Sequence, residues 1–293
     1  MKDDDKALLF GLATVLLWST VASAFKLSLR YLAPAELLLW AAVTSSVVLG
    51  AILAVQGRLR SALRPSRGEL LTSVGFGLLN PALYYVILFE AYARLPAQEA
   101  QALNYTWALT LTFLSVPFLK RPVTGRDGIA AAVCYLGAVV IATRGRVLSL
   151  DLSDPAGVGL ALLSTLVWST YWILNTKDRR DPVTGQFLSF LAAVPVVAAW
   201  VAFRHGLRLP PTEGLLGAAY VGTFEMGVAF VLWLKAMKLT SSTARISNLI
   251  FISPLLSLGM IYFVLGEPIL PSTLVGLVLI LGGLATQQLG RRR

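Results

Sequence analysis

The chain has 293 residues, of which 56% are apolar and 14% charged, and a formal net charge of +10. A soluble fold of this length cannot bury so much apolar side chain. One cysteine, Cys134, and one histidine, His205, exclude a disulfide framework and a thiol-based metal site.

Ten apolar stretches approach the ~20 residues that a helix needs to cross a bilayer, at 7–28, 35–55, 70–92, 98–119, 126–143, 156–176, 184–203, 213–236, 243–265 and 271–289. Met1–Lys6 is assigned no function, and the first span is too long for a cleaved signal. That span carries Trp18-Ser19-Thr20 and, near its end, Lys26. The second has small residues at four-residue spacing, Ala42, Ser46, Gly50 and Ala54, suited to close helix packing. The third holds Asn80-Pro81, Tyr84, Tyr85 and Glu90; Pro81 frees a backbone carbonyl and bends the helix. The fourth holds Asn104, Tyr105 and Trp107, and the fifth Gly128, Ala132 and Cys134. The polar stretch Arg144–Pro155 reads as a loop. In the sixth span, Trp168, Tyr171 and Trp172 share a face at spacings of three and four. The eighth places Glu225 near its middle, followed by Phe230 and Trp233. The ninth holds Asn248 and Ser253-Pro254, and the tenth Gly276, Gly282 and Gly283. Lipid leaves no backbone group unsatisfied, and the hydropathy does not alternate as barrel strands do, so the fold class is all-α integral membrane.

The basic residues fix an orientation. With the N-terminus inside, 18 Lys and Arg fall on inner segments and six on outer loops, so both termini are expected in the cytoplasm. Trp18-Ser19-Thr20 returns as Trp168-Ser169-Thr170, 150 residues later. Five spans per half is an odd number, so the second half enters from the opposite face and the repeat is inverted. The expected organisation is a first five-helix repeat at 1–146, an outer linker at 147–155 and a second repeat at 156–293. Such a chain suits a transporter, because the contact between repeats can open alternately to each side.

Ionisable residues inside a bilayer are costly and mark functional sites by default. Lys26 and Glu90 lie near span ends, where their side chains snorkel to the interface. Glu225 is too deep for that and faces a watery cavity, a substrate or a structural partner such as a Tyr. Its counterpart across the repeat is Asn80, so spans 3 and 8 both bring a polar group to the midplane. Trp18, Tyr84, Tyr105, Trp107, Trp168, Tyr171 and Trp172 are candidate walls of an aromatic central cavity; belts of Trp and Tyr at the two interfaces are the bland alternative. Asn104 and Asn248 either meet substrate or join helices. Pro81 and Pro254 are candidate hinges. No nucleotide-binding loop, metal motif or nucleophile–base set is present, so no cofactor, metal or enzymatic activity is expected.

Ala236-Met237-Lys238-Leu239, Ser253-Pro254 and Leu265-Gly266-Glu267, with first-half counterparts Ala93-Arg94-Leu95-Pro96-Ala97 and Leu119-Lys120-Arg121, resemble the drug/metabolite transporter superfamily. The chain is most similar to its ten-helix branch of bacterial exporters, and the aromatic density resembles that of the aromatic amino acid exporters. Arg121 departs from the Glu expected after Leu-Gly, and Glu225 stands where the family has small or apolar residues. The resemblance implies a multi-pass protein of the cell inner membrane, a monomer whose partners are a small-molecule substrate and membrane lipid, with no nucleic acid. A broad exporter of lipophilic cations and drugs, and an integral membrane enzyme, remain the alternatives.

Overall fold

A computed structural model of the chain describes residues 3–119, 124–149, 152, 154–206 and 208–290. Every regular element among them is a helix. In chain order these are α1 (Asp3–Ser28), α2 (Pro34–Val55), α3 (Arg67–Arg94), α4 (Ala97–Asn104), α5 (Trp107–Leu119), α6 (Gly125–Ala142), α7 (Pro155–Asn175), α8 (Pro182–His205), α9 (Thr212–Leu239), α10 (Arg245–Leu265) and α11 (Pro271–Gly290), with one extra turn at Leu59–Ala62. Eight are long and apolar enough to cross a membrane: α1, α2, α3 and α6 to α10.

The helix starts follow local chemistry. Pro34, Pro155 and Pro182 occupy first-turn positions where a missing N–H costs nothing. Asp154 caps α7 by accepting from Gly157 N at 2.8 Å, and Ser66 and Glu69 form a reciprocal capping box on α3. The stretch expected as a single span over 98–119 is instead two helices, α4 and α5. Thr106 N reaches back three residues to Leu103 O at 3.2 Å, and the Thr106 hydroxyl takes the same carbonyl at 2.8 Å. The i−3 backbone bond marks a tighter turn between the two helices.

The helices gather into two compact units. One comprises Met1–Val86 and Arg179–Leu265, the other Ile87–Asp178 and Gly266–Arg293, so each takes helices from both halves of the sequence. In the first unit α1 packs against α9 and α10, and α2 against α8 and α9. In the second unit α7 packs against α4 and α5, and α6 lies along α11. Glycine makes the last contact possible: a Cβ on Gly276 would lie 2.6 Å from Gly137 O, and one on Gly283 2.6 Å from Cys134 Sγ. Gly128 and Gly282, which also looked suited to packing, have nothing within 4 Å. On α2, Ala42 and Ser46 are buried and Gly50 meets Phe187, whereas Ala54 is exposed.

Candidate functional site

The first unit concentrates its irregular backbone where its polar residues lie. α3 is interrupted at Asn80, whose φ of −143° and ψ of 113° are extended rather than helical, within a π turn at Leu78–Leu83. The Asn80–Pro81 peptide is cis, and both residues are buried. α9 contains a second π turn, Val221–Val228, with Glu225 inside it. Such wide turns rewire backbone carbonyls and recur at functional sites. Here Gln186 of α8 donates its side-chain amide to Met226 O at 3.3 Å.

A side-chain bond joins the two irregular helices. Tyr85 OH donates to Glu225 Oε1 at 3.2 Å. Glu225 Oε2 and Asn80 Oδ1 are both enclosed, and neither has a hydrogen-bond partner among the described residues. Tyr84 is buried and meets Tyr85 edge-on at 4.8 Å. Trp18 tilts against Trp233 with ring centroids 5.3 Å apart, and Thr20 and Tyr220 share a 2.8 Å hydrogen bond between α1 and α9. Asn248 ends the first helical turns of α10, a 3₁₀ stretch at Leu249–Ile252 follows, and Pro254 is buried at the start of the next α-helical segment. Both candidate hinge prolines thus sit at breaks in helical regularity.

The second unit holds the other candidates. Trp168 stacks on Tyr171 at 5.5 Å and meets Trp172 edge-on at 5.8 Å and Trp107 edge-on at 6.5 Å. Ser169, in the repeated tripeptide, donates to Trp107 O at 3.0 Å and fixes α7 against α5. Trp172 Nε1 is enclosed without a partner among the described residues. Asn104 donates to Ser164 Oγ at 2.9 Å, a bond that joins α4 to α7. Tyr105 is half-buried at the α4–α5 turn. The candidates therefore divide: Trp18, Asn80, Pro81, Tyr84, Glu225, Asn248 and Pro254 in the first unit, Asn104, Tyr105, Trp107, Trp168, Tyr171 and Trp172 in the second.

The profile of the EamA-like transporter family matches residues 5–143 and 155–286. The chain belongs to that family. It is similar to Protein PecM of Dickeya dadantii, 26% identical over 270 residues that cover 87% of this chain and 84% of that protein. It is also 26% identical over 204 residues to an uncharacterized transporter of Clostridium kluyveri, across 62% of this chain and 64% of that one. A crystal structure of a protein 23% identical superposes with a TM-score of 0.69, over 99% of this chain and 98% of the other, and so has the same fold. This EamA-like transporter is thus a multi-pass membrane transport protein and not an enzyme.

Several side-chain contacts were not assigned from sequence, although Tyr85 stood among the span-3 aromatics and a Tyr was an expected partner of Glu225. Tyr85 and Gln186 support the Glu225 turn. Glu99 is fully enclosed and paired with Arg144 Nε at 2.7 Å. Glu267, known only as the tail of Leu-Gly-Glu, caps α4: both its oxygens accept from Ala97 N, at 3.0 and 3.2 Å. Beside it Gln98 donates to Pro268 O and accepts from Leu270 N. The divergent Arg121 lies outside the described residues. The bonds from Glu267 span 170 residues of sequence, and a single sequence carries no signal for such a pairing.

Proposed function

We propose that this transporter is a secondary exporter working by alternating access, carrying small amphipathic metabolites, aromatic amino acids first among them, out across the cell inner membrane. The observation that carries this reading is the coincidence of two broken helices with two polar residues. The interruption of α3 at Asn80 and the π turn of α9 at Glu225 are bridged by Tyr85. Discontinuous helices at midplane depth supply substrate and ion sites in secondary transporters. Two enclosed acceptors without partners are expensive in lipid, which favours their use by a ligand.

The reading includes ten spans in two inverted repeats, at 1–146 and 156–293, with both termini cytoplasmic and the protein acting as a monomer. The two family matches, 5–143 and 155–286, support related halves. So does packing: α1 on α10 and α7 on α5 are the same contact with the halves exchanged. The bias of Lys and Arg supports the orientation. The aromatic groups around Trp18 and Trp168 support a substrate with a ring.

The test is counterflow in proteoliposomes with labelled aromatic amino acids, aliphatic amino acids and lipophilic cations. Saturable exchange of the aromatic amino acids is expected. Exchange of lipophilic cations alone, or of nothing, refutes the assignment.

A further inference from the structure

We infer that the group recognised at the α3–α9 break is a protonated amine, received by Glu225 Oε2, with Tyr85 as the residue that positions the carboxylate. This rests on the exporter reading above and narrows it.

The inference comes from counting donors and acceptors at the break. Glu225 Oε1 is engaged by the Tyr85 hydroxyl. Met226 O is engaged by the Gln186 amide. Of the unpartnered side-chain atoms at the two irregular turns, Glu225 Oε2 and Asn80 Oδ1 can only accept, while Ser45 Oγ on α2, which packs on the α9 turn, can donate or accept. Pro81 adds to the imbalance, since it has no N–H to give to the preceding turn. A substrate carboxylate would face the like charge of the Glu225 carboxylate here. An ammonium group brings three donors and no acceptor, and its bonds to a carboxylate are about twice as strong as neutral ones. Tyr85 directs the remaining oxygen: by holding Oε1 it leaves Oε2 as the receiving atom. The site therefore selects for the amine end of an amphipathic molecule, and a carboxyl group on that molecule is not required.

Competition against labelled phenylalanine counterflow in proteoliposomes tests this with three matched compounds: phenylalanine, phenethylamine and 3-phenylpropanoate. Phenethylamine should compete within a few-fold of phenylalanine. Phenylpropanoate should be weaker by on the order of 10–100-fold, as expected for losing a hydrogen-bonded charge. Glu225→Gln should weaken phenethylamine by a similar factor and change phenylpropanoate little. Tyr85→Phe should reduce the same preference, and thermal unfolding in detergent reports whether each variant is folded. The series on the unaltered protein stands even where a variant does not fold. Phenylpropanoate competing as well as phenethylamine overturns the inference, as does a folded Gln variant that keeps the amine preference. Exchange of phenylalanine with both analogues inert also overturns it, because the amine alone then does not suffice. Absence of any phenylalanine exchange by folded protein is a different failure: it removes the exporter reading for this substrate, and the inference with it.

Discussion

Gly222→Ala should injure the site without removing a polar side chain. Gly222 is buried in the π turn of α9, three residues before Glu225, and its missing side chain lets α9 lie against α2. A Cβ there would strike the carbonyl oxygen of Ala41 and lie 2.7 Å from Thr44 Cβ and 3.1 Å from Ala41 C. Carbon atoms rest at about 3.5–4.0 Å, so the two helices must part by roughly 1 Å. Overpacking of this kind costs about 1–3 kcal/mol, towards the upper end where the obstacle is backbone. The Tyr85–Glu225 bond, at 3.2 Å, has little slack for such a shift. Thermal unfolding in detergent should move down by several degrees, and counterflow per folded molecule should fall. Gly259→Ala is the control, since nothing lies within 4 Å of its added methyl. There alanine gains about 0.5–1 kcal/mol of helix preference, so the unfolding temperature should hold or rise. An alanine at 222 that unfolds at the parent's temperature, or equal losses at both positions, would refute the packing argument.

Arg144→Gln removes the guanidinium 2.7 Å from the fully enclosed Glu99 carboxylate and, with Arg144 itself 43% exposed, should cost about 1–3 kcal/mol; adding Glu99→Gln should recover part of it, and strictly additive losses in the unfolding temperature would show that the pair is not coupled. At Asp181, burial pushes the carboxyl up, but hydrogen bonds from Thr184 and the Arg58 guanidinium outweigh it and hold the group below its usual range. A depressed folded value contributes stability above the unfolded value of about 3.9, lost as pH falls through the folded value. Asp181→Asn should thus cost about 1 kcal/mol near neutral pH and progressively less below about pH 4; a gap in unfolding temperature that stays constant with pH would count against this. Trp168→Ala, which loses contact with three aromatic rings, should reduce counterflow far more than Trp200→Ala at an exposed position, and equal mild effects would make the rings generic. With Cys134 replaced, cysteines at Ser61 and Gly290 should label only from the cytoplasm and one at Ser149 only from outside, and the reverse pattern would discard the topology.

The sequence by itself determined what depends on neighbours along the chain. Apolar runs near bilayer length set the helices, and prolines and short polar residues set their starts at Pro34, Asp154 and Asp181. The depth of Glu225 and the proline after Asn80 marked spans 3 and 8, because a charge or a missing N–H inside lipid is costly wherever the fold places it. The tertiary structure alone decided which partners those groups meet. It gave Tyr85 to Glu225, Ser164 to Asn104 and Ala97 to Glu267, pairs separated by 140, 60 and 170 residues. It also split span 4 at the tight turn around Thr106. It distributed the aromatic candidates between two units that each draw on both halves, a division that hydropathy, reading one span at a time, does not contain. Local propensity acts over a turn or two of helix, whereas these pairings arise only when distant spans pack.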